Sequence, residues 1–398
     1  MNDLSLLHVV GARPNNPKHA PVHRAAAARG ITQCVVHTGQ HYDDALWTSL
    51  LRDLGQPAPD VDLGVGSASH SVQTARIMEG LEPVIASRRP TWVVVYGDVN
   101  STLAATLVAA KLGIPTAHVE AGLRSGDRSM PEEINRLVAD RLASLLLTPS
   151  RDADETLKRE GVAPSSIRFV GNVMIDSVVE ALPRARAMRP PAAVSGRHVL
   201  ATLHRPSNVD DPVRLGKLLA ALTEIAVERP VIFPVHPRTR ARLADHGHIT
   251  DGITLVDPLP YTEMLAWLDS AHAVVTDSGG IQEESTALGV PCLTVRDNTE
   301  RPITITEGTN QLVRDPAALP ALIRMATRSA TPRRPDGWDG LASERIVDAL
   351  IDVAEELAAP RANLKVSRSS PVTDLPAPGR WPAHERAADT DEQEKRAS

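Results

Sequence analysis

Short apolar runs alternate with amphipathic stretches along most of the chain. Residues 4–10, 31–38, 92–96 and 116–119 are compact apolar segments of the length of buried strands, and helical spacing fills the intervals near 18–29, 45–54 and 101–112. After Gly171 comes a Pro/Ala-rich stretch, 183–194, that reads as a linker. The alternation then resumes, with strands at 198–202, 231–235, 253–256, 273–276 and 290–295 and helices at 215–227, 263–268 and 281–288. Strand–helix–strand order predicts parallel sheets covered by helices, the α/β class, and two such runs predict two Rossmann-like domains with a cleft between them. The first is expected over residues 1–175 and the second over 190–342, with a helix at 343–358 packing back onto the first. Residues 361–398, rich in Pro, Ser, Arg and acidic residues without periodicity, are expected to form a disordered tail.

Composition narrows the function classes. With 42% apolar and 23% charged residues over 398 positions, the chain reads as globular with room for two ordinary domains. A formal net charge of -6 argues against nucleic acid or a membrane surface as partner, so phosphate recognition should be local. No apolar run approaches the span of a bilayer, and the start Met1-Asn2-Asp3 is unlike a secretory signal, so a cytoplasmic location is expected. Cys34 and Cys292 fall in predicted strands of different halves, which suits buried thiols better than a disulfide or a metal site.

Ligands of open parallel sheets bind beyond the carboxyl ends of the strands, and polar residues gather there in this chain. The first strand leads to Arg13 and Lys18, the second to Gln40 and His41, the third to Gly97-Asp98 and the fourth to Glu120 and Arg124. Second-half strands deliver His204-Arg205, His236 and Asp277-Ser278-Gly279-Gly280. That last turn feeds a helix. Its glycines allow close approach of a ligand, and the free N–H groups of the helix start favour an anion, so phosphate or diphosphate is the natural occupant. Glu283 and Glu284 follow where a carboxylate could reach ribose hydroxyls, and Arg301 is a further phosphate candidate. The turn is neither a Walker loop nor a GxGxxG fingerprint. Structural roles stay open for several of these: Asp98 could organise its turn, Glu120 could pair with Arg124, His204 could be a core histidine, His236 could brace its loop, and Glu132 and Glu133 could cap the helix begun by Pro131.

The ordered blocks GARPNNPKHAP, HTGQHYD, YGDVNSTLAA, HVEAGLRSGDRSMPEEINR, GNVMIDS, TLHRPSNVD, TDSGGIQEE and RDNTERP are similar to those of the non-hydrolysing UDP-N-acetylglucosamine 2-epimerases, over about residues 6–357. The resemblance implies a glycosyltransferase-B-like fold, a homodimer, and interconversion of UDP-GlcNAc and UDP-ManNAc with no redox cofactor or metal. In that chemistry UDP leaves carbon 1 as carbon 2 loses its proton; 2-acetamidoglucal forms, and UDP adds back after the proton returns on the other face. By motif position the resemblance makes Asp98, Glu120 and Glu132 the catalytic carboxylates and His204 the histidine near the departing diphosphate. Arg13, Lys18, Ser278, Gly279, Gly280, Glu284 and Arg301 become ligands of UDP and sugar. Some bacterial members bind a second, activating UDP-GlcNAc through residues matching Gln40, His41, Gln73, Arg205 and His236. Asn16 and Pro17 stand where relatives usually place apolar residues, and Ser207 and Ile303 where glutamates are common. These departures bear on the sugar: a modified UDP-HexNAc, such as a 2,3-diacetamido uronic acid, would use the same elimination and addition. A hydrolysing relative, releasing ManNAc and UDP, would normally lack the Arg13-Pro14 pair.

Overall fold

The computed structural model describes residues 4–39, 44–188, 190, 197–246, 251–328 and 334–358. Two parallel sheets organise them. The first is built from β1 (Ser5–Val10), β2 (Thr32–His37), β3 (Val61–Asp62), β4 (Trp92–Tyr96), β5 (Thr116–Val119), β6 (Leu145–Thr148) and β7 (Ile167–Phe169), in the order β3-β2-β1-β4-β5-β6-β7. The second holds β8 (Val199–Thr202), β9 (Val231–Pro234), β10 (Ile253–Val256), β11 (Ala273–Thr276), β12 (Cys292–Thr294) and β13 (Asn310–Leu312), in the order β10-β9-β8-β11-β12-β13. In each sheet the strand order reverses beside the first strand, between β1 and β4 and between β8 and β11. Such reversals open the crevice in which doubly wound sheets hold ligands.

Both faces of each sheet are covered, which is why the strands read as continuous apolar runs. On one face of the first sheet Leu6, Val94 and Tyr96 pack with Val22, Ala26, Ile346, Val347 and Leu350; on the other Leu7, Val9, Val93 and Val95 pack with Ile77, Leu81, Ile85 and Ala105. The helix Ala342–Ala358 thus lies in the first sheet's core, where the Trp92 indole donates to the Leu350 carbonyl at 3.1 Å.

Two parts of the sequence reading change. Residues 183–187 are not linker: they complete the helix Val173–Ala187, whose Val178, Ala181 and Ala185 pack against Leu200 and Val274 of the second sheet. The helix His70–Arg88 was not expected, nor were β6, β7 and β13. Residues 191–194 of the supposed linker, the tail at 361–398, and Gln40 and His41 lie outside the described residues.

Candidate active site

The first sheet supplies carboxylates. Gly97, leaving β4 at φ +63, turns the chain into Asp98; a Cβ there would stand 2.7 Å from Lys18 Nζ and 3.1 Å from Glu120 Oε2. Glu120 leaves β5 at φ +72, a left-handed conformation shared among the described non-glycine residues with Arg89 alone. Strained backbone of this kind concentrates at functional sites. One oxygen of its buried carboxylate pairs with Lys18, and the other accepts from Arg301 Nη2 at 2.7 Å. Asp98 pairs with Arg136, and its carbonyl accepts from Asn135 Nδ2 at 2.9 Å. Burial opposes ionisation of Asp98, yet the charges of Arg136, Lys18 and Arg301 hold its carboxyl below the usual range. Burial lowers the Lys18 ammonium to about 8, with Asp98 and Glu283 opposing that fall and Arg301 and Arg136 adding to it.

The helix Pro131–Leu142 begins at Pro131 and carries Glu132 in its first turn, on the same face as Asn135 and Arg136. Among the described residues Glu132 has no hydrogen bond or ion pair, whereas Glu133 accepts from Ser125 N at 2.9 Å and Gly126 N at 3.0 Å and pairs with Arg136 at 2.6 Å. Adjacent glutamates therefore differ: Glu133 anchors the preceding loop, and the Glu132 side chain stays unpaired on the helix whose Asn135 and Arg136 hold Asp98.

The second sheet supplies cations and a helix start. Asp277, fully buried at the end of β11, accepts from the backbone of His204 and Arg205 and from Asn208, and lies 2.8 Å from His204 Nδ1. Burial works against its charge, but these donors hold its carboxyl below the usual range. His204, with 41% of its side chain exposed, is thereby fixed through one nitrogen and is no core histidine. His236 lies with its ring centroid 5.8 Å from that of His204; burial first, then His204 and Arg13, lower its basicity, which places the first-half Arg13 near it across the cleft.

Ser278 begins the helix Gly279–Leu288. A Cβ on Gly279 would come within 2.7 Å of Arg301 Nη1, so the glycine makes room for the arginine as well as for a ligand. Arg301 is surrounded by Glu120 at 2.7 Å, Glu283 at 3.0 Å and Glu300 at 3.3 Å, and Glu300 reaches Arg205 at 3.2 Å and Arg296 at 2.8 Å. Glu284 is different: burial and the neighbouring Glu283 raise its carboxyl to about 8, with Tyr261 opposing.

Part of the sequence-selected set thus converges. Lys18, Asp98, Glu120 and Arg301 join in one alternating chain of charge that crosses from sheet to sheet. Glu120 does not pair with Arg124, which binds Asp140 and Glu160 instead. Of the second group, Gln73 donates to the Gly66 carbonyl at 2.9 Å and accepts from Asn100 at 2.8 Å, and Arg205 donates to the Asp277 carbonyl at 2.9 Å. Asn135, Arg136, Glu300 and the buried role of Asp277 were not selected from sequence; the only signal for Arg136 was its place one turn after Glu132. Among the described residues no cluster of His, Cys, Asp and Glu is arranged to hold a metal ion.

Two Rossmann-like domains, one bringing carboxylates and the other a glycine-begun helix with arginines to a shared charged cluster, define a glycosyltransferase-B-like protein. A glycosyltransferase from Streptomyces nogalater, 18% identical with a TM-score of 0.51, shares this fold. A family profile described as UDP-N-acetylglucosamine 2-epimerase matches residues 23–351, and the chain belongs to that family. It is 38% identical to the UDP-N-acetylglucosamine 2-epimerase of Methanocaldococcus jannaschii over 87% of this chain and 99% of the relative. It is 40% identical, with the same coverages, to a UDP-2,3-diacetamido-2,3-dideoxy-D-glucuronate 2-epimerase of Pseudomonas aeruginosa. The crystal structure of the M. jannaschii enzyme in complex with UDP-GlcNAc and UDP aligns with a TM-score of 0.80 at 37% identity, covering 88% of this chain and all of that one.

Proposed function

We propose that this protein inverts carbon 2 of UDP-GlcNAc to give UDP-ManNAc, by eliminating UDP to 2-acetamidoglucal and adding it back. The observation that carries the reading is the meeting of Asp98 and Glu120 with Lys18 and Arg301 between the two sheets. A carbon 2 proton is poorly acidic, so its loss must accompany departure of the diphosphate from carbon 1. Arg13, Lys18, Arg301, the N–H groups from Ser278 to Gly280 and His204 would take up the charge that develops on that diphosphate. Asp98, Glu120 and Glu132 would remove one proton and return another from the opposite face. The ribose hydroxyls fall to Glu284. The reading carries with it a cytoplasmic homodimer, by resemblance to the family; light scattering should then give twice the chain mass of 42.7 kDa. Among the described residues no helix is long and apolar enough to cross a membrane.

A second substrate, a UDP-2,3-diacetamido uronic acid, is favoured by the Pseudomonas relative. Asn16, buried between Arg13 and Lys18 with neither amide atom hydrogen-bonded, also suits a substrate with an additional polar substituent. Incubation with either nucleotide sugar, followed through the anomeric protons by NMR, tests the assignment. A second UDP-HexNAc signal set is expected; accumulation of free ManNAc and UDP would make the protein a hydrolase, and no change with either sugar would refute the epimerase reading.

A further inference from the structure

The helix that presents Glu132 grips the carboxylate cluster at a second place. Asp140, two turns beyond Glu132 on the same stripe, is buried. Its Oδ1 lies 2.6 Å from His118 Nδ1, and its Oδ2 accepts from Gly122 N at 3.1 Å and Arg124 Nη1 at 2.6 Å. His118, in β5 with no exposed surface, sets its other nitrogen 2.8 Å from the Gly97 carbonyl. Each ring nitrogen thus has an oxygen partner, one on Asp140 and one on the Gly97 peptide, and the two contacts fix the ring's orientation. Burial opposes the charge of Asp140, while His118 and Arg124 hold its carboxyl below the usual range.

We propose that His118 and Asp140 are a positioning pair that sets Asp98, Glu120 and Glu132 in register with one another. His118 holds the Gly97 peptide immediately ahead of Asp98; Asp140 holds the Gly122 peptide two residues after Glu120; and the helix that carries Asp140 also carries Glu132. The inference rests on the epimerase reading. In that reaction one face of carbon 2 gives up a proton and the other receives one, so the carboxylates must keep their spacing while the glucal waits between them. A displacement of roughly 1 Å is enough to cost on the order of 10²-fold in rate.

The test uses the full-length protein and its His118→Gln, Asp140→Asn and double variants, with UDP-GlcNAc or the modified sugar that the wild type accepts. Each single change should lower kcat on the order of 10²-fold, leave KM and calorimetric UDP affinity within about threefold, and release free UDP and 2-acetamidoglucal in a larger share of turnovers. The double variant should be no slower than the worse single one, because both changes break the same unit. Wild-type kcat in the variants, or a loss of UDP affinity in step with melting temperature and without released glucal, would overturn the positioning role. If His118→Gln does not fold, the isosteric Asp140→Asn decides by the same measurements. A wild-type chain inactive on both sugars would overturn the epimerase reading and this inference with it, whereas an active wild type with unaltered variants overturns the inference alone.

Discussion

Glu120 carries the strain and the charge of the site at one residue. A backbone at φ +72 costs a non-glycine residue on the order of 1–3 kcal/mol, and here it brings the carboxylate between Lys18 and Arg301. Asp98→Asn, Glu120→Gln and Glu132→Gln keep side-chain shape and remove basicity. Each is expected to cut turnover by ~10²–10⁴-fold with the circular dichroism spectrum unchanged; full activity in all three would exclude them as the acid and base. Lys18 gives a pH signature. Below about 8 its ammonium is charged and can meet the diphosphate; above about 8 the charge is lost. Because kcat/KM reports the free enzyme, it should fall as pH rises through that value. Glu284 loses its proton in the same range, and Lys18→Arg, charged throughout, separates the two by shifting only the lysine's share of the limb. An unshifted profile would remove Lys18 from the diphosphate site. Asp98, Glu120 and His204 could be selected from sequence because each ends a strand. Arg136, His118 and Asp140 could not, because their meaning lies in partners 38, 21 and 18 positions away.

At the scale of elements, the turn from β11 into the helix Gly279–Leu288 makes two opposite demands on Gly279. Alanine would favour the helix, by up to roughly 1 kcal/mol, yet its Cβ would stand 2.7 Å from a guanidinium that three carboxylates hold in place. Gly279→Ala should therefore lower the melting temperature, because the guanidinium must leave its carboxylates, while UDP affinity, measured by calorimetry, falls at least ~10-fold, a loss of about 1.4 kcal/mol. Unchanged affinity would show that the glycine serves packing alone. Apolar runs such as Trp92–Tyr96 and Ala273–Thr276 were plain in the sequence, and so was this turn. The helix His70–Arg88 was hidden because its buried stripe is sparse, with Gln73, Ile77, Leu81 and Ile85 four apart and Pro83 inside it. The helix Val173–Ala187 was not read from the sequence, because Pro183 opens a Pro/Ala-rich stretch that looks like a linker; the structure accommodates Pro183 within the helix while Ala185 is buried.

The whole molecule is tied across its cleft by the Lys18–Glu120–Arg301 link, and the groups in that link are the ones expected to receive a diphosphate. Glu120→Gln takes the ion-pair partner from buried Lys18 and leaves Arg301 with Glu283 and Glu300, and breaking a buried pair in this way costs about 3–5 kcal/mol. The ligand-free variant should melt well below the wild type, and UDP should restore more stability to it than to the wild type, because the diphosphate replaces a missing carboxylate rather than displacing one. Equal stabilisation by UDP would show that the diphosphate binds elsewhere. The central claim is that the carbon 2 proton leaves to a protein carboxylate while the sugar is detached from UDP. Turnover of UDP-GlcNAc, or of the diacetamido uronate if that is the accepted sugar, in D2O tests it most directly. The expected product is an epimerised sugar that is again attached to UDP and carries deuterium at carbon 2. Epimerised product with protium at carbon 2 would contradict the account.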